Sequence, residues 1–342
     1  MKVQLIGVNG ALIRDRSDFT KFDHHLQGTP QENLIEVAGR TCYDSFLTEK
    51  SRATPEYHDH ILDVQHGSVL AHSILRVEIP ENQNYLWLIS FAFRDEKGWY
   101  LGSSYFTCNF RFLERIFRQK KIEDYTVKCF LNELLKIAKT EAPLIFNRFS
   151  EFEKCDGYRV SAVIKWKENL VTTPQNHNWY SFLISDVSRN FSHEMVRHSY
   201  ESAISQRSTR YCDETDSKFI HHPYDLKYFS ENNRTFKYML GENLGKKDYK
   251  EVMAAVYNGL INDGVDKFTA KKQARGAAAR YLPNGIETEM VFTCSERQLG
   301  EILEQRVNPA ADMEIQGLIA MKEEVAKYLN VPEEQLKLPR IN

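Results

Sequence analysis

The sequence predicts an α+β fold, a mixed α/β core sheet with a helical portion. Period-2 and 3.6-period segments are interleaved along the chain. They never settle into the βαβ alternation of a parallel, doubly wound sheet, and no glycine-rich dinucleotide loop follows a strand. The 342 residues leave room for two domains at about 100–200 residues each.

Residues 1–11 read as a strand, carried by Val3, Leu5 and Ile6 and broken by Gly7 and Gly10. Residues 32–40 have helical spacing, ending near Gly39, and 55–66 form a second helix that buries Ile61, Leu62 and Val64. Residues 72–79 alternate as a strand. The aromatic-rich stretches 85–93 and 99–108 fit strands or short buried helices alike. Helices are expected at 110–118 and 125–139, the second burying Val127, Phe130, Leu134, Leu135 and Ile137. Residues 160–166 and 180–184 read as strands. In 186–199, Val187, Phe191 and Met195 recur every four residues, with Arg189, His193 and Arg197 on another face. Several helices follow between Tyr228 and Tyr281, the last stopped by Pro283. A strand at 287–294 and helices at 297–305 and 311–329 complete the chain.

Composition narrows the function. Apolar residues at 42% and charged residues at 27% exclude a wholly disordered or low-complexity chain. Lys+Arg 45 against Asp+Glu 47 gives a net charge of −2, which argues against a nucleic-acid partner. Arginines gathered in one pocket would still hold a single anion. No apolar run is long enough to span a bilayer, and the N-terminus lacks the basic and apolar regions of a signal peptide. Cys42, Cys108, Cys129, Cys155, Cys212 and Cys294 are scattered without a CxxC pair, as in a cytoplasmic protein with reduced thiols. His58, His60, His66 and His72 complete no metal-ligand spacing, so no metal is expected. His221-His222-Pro223 reads as a turn.

One octapeptide pattern occurs twice. Residues 106–113 and 292–299 both read FTCxxRxL. Chance in a Phe-rich chain is one reading. The other is two equivalent strand-to-helix corners, each offering backbone N–H groups and an arginine to an anion.

The densest polar cluster is 187–214, which holds Arg189, Arg197, Arg207, Arg210, His193, His198 and a run of hydroxyls before Tyr211. Arginine forks match phosphate and carboxylate geometry, and hydroxyls with loop N–H groups complete such a cradle. Any one of these arginines fits a solvated helix face; the cluster together favours an anion site.

Within it, RHS…SQRSTRY resembles the signature of the flavin-dependent thymidylate synthases, an RHR triplet followed by S-x-R-Y. Four further segments agree in order. They are Ala38-Gly39-Arg40-Thr41-Cys42-Tyr43, His66-Gly67-Ser68-Val69-Leu70-Ala71-His72, Ala279-Arg280-Tyr281-Leu282-Pro283, and Arg297-Gln298-Leu299 with Arg306 and Ala311-Asp312-Met313-Glu314-Ile315. Each is weak alone; together they identify the family. The resemblance covers about 32–80 and 180–325 and leaves about 81–179 as an insertion within a single catalytic domain.

The resemblance implies conversion of dUMP to dTMP, with methylenetetrahydrofolate as carbon donor and NADPH-reduced FAD as reductant, in a cytoplasmic homotetramer with shared active sites. It places Glu194, Arg197, Gln206, Ser208, Arg210, Arg280 and Arg306 at dUMP, with Arg306 as the catalytic group that stabilises charge on the pyrimidine. It places His66, Ser68, Arg197, His198, Ser199, Gln206, Ser295 and Arg297 at FAD. Departures are also present. Ser199 replaces the third residue of the triplet, Ala71 a glutamate, and Ser295 an asparagine. Arg207, Arg111 and Lys165 are candidates to replace the missing guanidinium. Asn109 and Arg111 restore the N-x-R pattern and join the expected FAD set. A pyrimidine nucleotide hydroxymethylase and an inactive flavin- or nucleotide-binding protein are the alternatives; an RNA-binding role for 207–210 is opposed by the net charge.

Overall fold

The computed structural model describes residues 1–13, 26–46, 52–79, 83–102, 105–152, 177–222, 231–336 and 338, with the backbone alone at 83–85 and 231–243. In chain order the strands are β1 (Lys2–Val8), β2 (Ala11–Leu12), β3 (Ile74–Glu78), β4 (Trp99–Leu101), β5 (Tyr105–Asn109), β6 (Trp179–Ser188), β7 (Ser202–Gln206) and β8 (Glu287–Ser295). The helices are α1 (Pro30–Tyr43), α2 (Thr54–Asp63), α3 (Gln83–Ala92), α4 (Phe110–Gln119), α5 (Tyr125–Glu141), α6 (Pro143–Phe146), α7 (Arg189–Met195), α8 (Glu231–Asn262), α9 (Lys267–Ala278), α10 (Glu296–Arg306), α11 (Met313–Gln316) and α12 (Ile319–Leu329). A 3-10 turn, Gly67–His72, leads into β3. The fold is α+β, as the sequence predicts.

Two antiparallel sheets result, one in the order β2-β1-β6-β8-β7 and one in the order β3-β5-β4. The smaller sheet packs with α4, α5 and α6 through Phe106, Phe110, Phe112, Phe130 and Phe146, all fully buried. The larger sheet buries Phe182, Phe292 and Met290 against Phe191 of α7, Leu299 and Ile302 of α10 and Met321 of α12. Its opposite face meets α1 through Leu34, Val37 and Ala38, which pack on Ile6, Leu183 and Val291.

Local chemistry sets the boundaries. At the start of α1, Thr29 Oγ1 accepts from the Glu32 N–H and Glu32 Oε2 accepts from the Thr29 N–H, a capping box beside Pro30. The ambiguous aromatic stretches resolve into a helix, α3, and two strands, β4 and β5. Residues 186–188, expected as helix, extend β6 instead. A register shift between Ile184 and Val187 and a left-handed Asp186 (φ +54°) bend the strand there. Ser188 then caps α7 by accepting from the Phe191 N–H at 3.1 Å. Strand β7 was hidden inside the polar cluster. The expected strand at 160–166 lies outside the described residues.

Candidate functional site

Strand β7 ends at Gln206 and delivers the loop that follows. The Ser208 N–H donates to the Cys42 carbonyl at 2.9 Å, and the Ser208 carbonyl accepts from Tyr211 and Cys212 at 3.1 and 2.9 Å. This tight turn throws Arg210 outward, where it has no ion pair among the described residues. Across from it, α9 presents Lys272 and Gly276 one helical turn apart, and the 3-10 turn Ala279–Tyr281 that follows adds Arg280. The cleft between them is about 700 Å³ and is lined by Thr209, Arg210, Lys272, Gln273, Gly276 and Arg280 among others, with no carboxylate among the described residues. Arg280 donates to the Gly276 carbonyl at 2.8 Å. Lys272 Nζ lies 4.8 Å over the Tyr211 ring.

Tyr211 is the edge of an aromatic corner. Its ring meets Tyr43 edge-on at 4.7 Å. The Tyr43 ring also lies nearly parallel to that of His66, at 6.1 Å. Burial and the neighbouring Tyr211 push the Tyr43 hydroxyl up to about 12, so it stays protonated, and it shares a hydrogen bond with His66 Nδ1 at 2.6 Å.

A second group forms where α7 meets the end of α10. Arg306 Nε donates to His198 Nε2 at 2.9 Å, and Arg306 Nη1 reaches Glu194 Oε2 at 3.2 Å. Burial, then Arg306 and Arg197, lowers His198 to about 4, so its imidazole is neutral and accepts. Gln206 Nε2 donates to Ser192 Oγ at 2.9 Å and to Thr288 Oγ1 at 3.1 Å, which fixes the amide between α7 and β8.

The remaining expected residues stand apart from these two groups. Ser295 caps α10, accepting from the Gln298 N–H at 3.0 Å, and donates to Glu201 Oε2 at 2.5 Å. Arg297 pairs with the same buried Glu201, and its guanidinium lies 5.2 Å over Tyr200. Asn109 caps α4, accepting from the Phe112 N–H at 2.9 Å. Arg111 is half-buried without an ion pair among the described residues. Ser68, Arg197 and Ser199 are exposed. Arg207 is committed to Asp44 and Glu214, both at 3.6 Å, which removes it as the replacement for the missing triplet arginine. Lys165 lies outside the described residues. Among those residues no group of three His, Cys, Asp or Glu side chains could hold a metal, and no helix is long and apolar enough to cross a membrane.

Sequence reasoning missed Lys272 and Glu201. The i, i+4, i+8 spacing of Lys272, Gly276 and Arg280 was the available signal for the first. Glu201 had none, because its role depends on strands far apart in sequence.

The sequence model of one family, thymidylate synthase complementing protein, matches residues 146–330, over half of the chain. The protein belongs to that family, the flavin-dependent thymidylate synthase or ThyX family. The matched span takes in the motifs from the RHS segment onward and leaves the segments at 32–80 outside it. A flavin-dependent thymidylate synthase of Mycobacterium bovis (strain BCG / Pasteur 1173P2) is 33% identical over 144 residues, 42% of this chain and 55% of the relative. That of Mycobacterium sp. (strain KMS) is 33% identical over 145 residues, 42% and 56%. The chain thus spans about half the length of these curated relatives. Among solved structures, thymidylate synthase X from Helicobacter pylori with FAD and dUMP is 18% identical. It covers 44% of this chain and 68% of its own, with a TM-score of 0.30.

Proposed function

We propose that the protein is a cytoplasmic flavin-dependent thymidylate synthase, forming dTMP from dUMP with methylenetetrahydrofolate and NADPH-reduced FAD. The observation that carries this reading is the cleft in which Arg210, Lys272 and Arg280 converge without a carboxylate. Three cations without an ion pair among the described residues suit the phosphate of a nucleotide, and the turn at Ser208 adds a hydroxyl and N–H groups. Arg306 is the group for the pyrimidine. Its guanidinium opposes negative charge developing on the ring, while Glu194 and neutral His198 hold its plane.

The residues fit FAD at the aromatic pair of half-buried Tyr43 and exposed His66, whose rings offer a stacking surface beside the cation-bearing cleft. Bound FAD supplies the redox chemistry, and the chain supplies orientation and charge. The expected site residues fall into separate groups within one protomer, which supports a homotetramer whose subunits complete one another's sites.

A second reading is favoured by one observation. Arg297, expected at the flavin, is held by Glu201, and Ser199 supplies no guanidinium. These features suit a pyrimidine nucleotide hydroxymethylase or an inactive binder. The test is tritium release from C5-tritiated dUMP with NADPH and methylenetetrahydrofolate, run on protein that shows a flavin spectrum. Release with a methylated product is expected. A hydroxymethylated product selects the hydroxymethylase, and no release despite bound FAD and dUMP overturns the synthase reading.

A further inference from the structure

The two FTCxxRxL segments sit in surroundings that repeat as well. Phe106-Thr107-Cys108 lies on β5, between β3 and β4; Phe292-Thr293-Cys294 lies on β8, between β6 and β7. In both sets the third strand in sequence is the middle strand in space. The registers agree residue for residue. Ile74 faces Asn109 as Trp179 faces Ser295, and Trp99 faces Cys108 as Ser202 faces Cys294.

The corners agree in detail too. Asn109 and Ser295 cap α4 and α10. The Phe110 N–H donates to the Ser73 carbonyl, and the Glu296 N–H to the Asn178 carbonyl. The Asn109 N–H donates to Gly98, and the Ser295 N–H to Glu201, and both accepting residues are left-handed, with φ of +90° and +44°. A compact αβ unit has no need to repeat a left-handed residue at one register position.

We infer that β3, β4, β5 and α4 form a second copy of the unit made by β6, β7, β8 and α10, paired with it inside one chain, and that His72 and His177 are equivalent positioning residues that lock the copies together. His72 stands two residues before β3 and His177 two before β6. His72 Nδ1 meets Thr293 Oγ1 at 2.8 Å, and His177 Nδ1 meets Thr107 Oγ1 at 2.6 Å. Each imidazole therefore reaches the FTC threonine of the other copy. Reciprocal contacts of this kind, i to j and j to i, are the signature of a two-fold interface.

The far side of each ring shows how the copies have diverged. His72 Nε2 meets Ser205 Oγ at 2.9 Å. The position equivalent to Ser205 in the first copy is Gly102. A Cβ there would lie 2.7 Å from His177 Nε2, and that nitrogen has no partner among the described residues. The same comparison accounts for the arginines. Gly98 stands where Glu201 holds Arg297, and the counterpart Arg111 is left without an ion pair among the described residues. On this reading the aromatic segment between β3 and α6 is the body of the first copy and not an insertion. Through His72 that copy holds β7 and β8, which deliver Gln206, the Ser208 turn and Ser295. Both rings are fully or almost fully buried, and burial lowers His72 to about 3 and, with Arg76, His177 to about 4.

Imidazole NMR of the histidine-labelled full chain tests this, with the two rings assigned by His72→Gln and His177→Gln. Thr293→Val should move the His72 ring signals and leave those of His177; Thr107→Val should do the reverse, and Thr293→Ser should restore the parent pattern. Perturbation of the histidine in the same copy, or of neither ring, overturns the inference. If the valine variants do not fold, an experimental structure of the parent chain decides. The two four-element units should superpose through a rotation close to a half-turn with the registers above, and any other relation overturns the inference. Neither readout depends on catalysis, so failure here is distinct from failure of the proposed activity.

Discussion

Arg207 and Arg210 lie within one turn of the chain, yet their surroundings give them opposite duties. Arg207 joins Arg189 around Glu214, which is completely buried; the two guanidinium groups approach its carboxylate at 3.6 and 3.5 Å. Ser217 Oγ donates to the same carboxylate. Arg210, beyond the turn, faces the cleft beside Lys272 and Arg280. The sequence presents these arginines as one cluster; the neighbours divide them. A guanidinium with a buried carboxylate is a structural member, and one without is available to a ligand.

The largest effect expected from breaking this division is at Glu214. Glu214→Ala leaves half-buried Arg189 without its carboxylate and Arg207 with Asp44 alone, and should cost about 3 kcal/mol of stability, read by urea denaturation. A loss below about 1 kcal/mol would place Arg189 and Arg207 among the weak surface pairs instead.

Acidification should attack the structural side. His72 is neutral when folded, lowered to about 3 by burial, and has an ordinary value near 6.5 when unfolded. The unfolded chain therefore binds the extra proton first, so stability falls as pH drops from about 6.5 and stops falling near the folded value. Between pH 6.5 and 5 this one residue removes about 2 kcal/mol. His72→Gln should reduce that slope in denaturation curves measured across the range, leaving the shares of His177 and His198.

Arg210→Ala and Arg280→Ala should each weaken dUMP binding about tenfold, near 1.5 kcal/mol for a charge-assisted contact. Stability should stay within about 0.5 kcal/mol, as for an exposed side chain. Calorimetric titration beside a thermal melt separates the two quantities. Equal affinity in both variants would move the nucleotide out of this cleft.

The smallest expected effect is at the first corner. Asn109→Ala removes the cap of α4 at about 1 kcal/mol, visible in the melt. Arg111→Ala should leave stability unchanged and loosen FAD, if this corner replaces the guanidinium missing at Ser199. FAD held as tightly as in the parent ends that compensation.

Much of the fold was legible because its signals are local. The helical spacing of 32–40 inside α1, the period of Val127, Phe130 and Leu134 in α5, and the strand pattern of β8 all declare themselves within a few residues, though the Thr29-Pro30 start of α1 and its run to Tyr43 lie outside the stretch so read. Family motifs singled out Glu194, His198 and Arg306 but not their contact with one another, nor the commitment of Arg297 to Glu201. It depends on β7 lying beside β8, and Ser202-Ala203-Ile204-Ser205-Gln206 reads as polar loop because both its neighbours and its buried hydroxyls are set by tertiary pairing. The Arg76 strand misleads in the same way. It alternates as if one face were wet, yet Ile74 to Val77 are all buried, with Arg76 donating to the His177 carbonyl at 3.3 Å and to Asn178 Oδ1 at 3.2 Å.

Helix α1 has a consequence for how the molecule comes apart. Leu34, Val37 and Ala38 belong to the core against the larger sheet, while Ile35 belongs to the core of the smaller one. A single rigid rod is thus shared by two hydrophobic interiors, and neither can open without stripping one side of it. The amide hydrogens of α1 should then be among the slowest around either sheet to exchange with solvent.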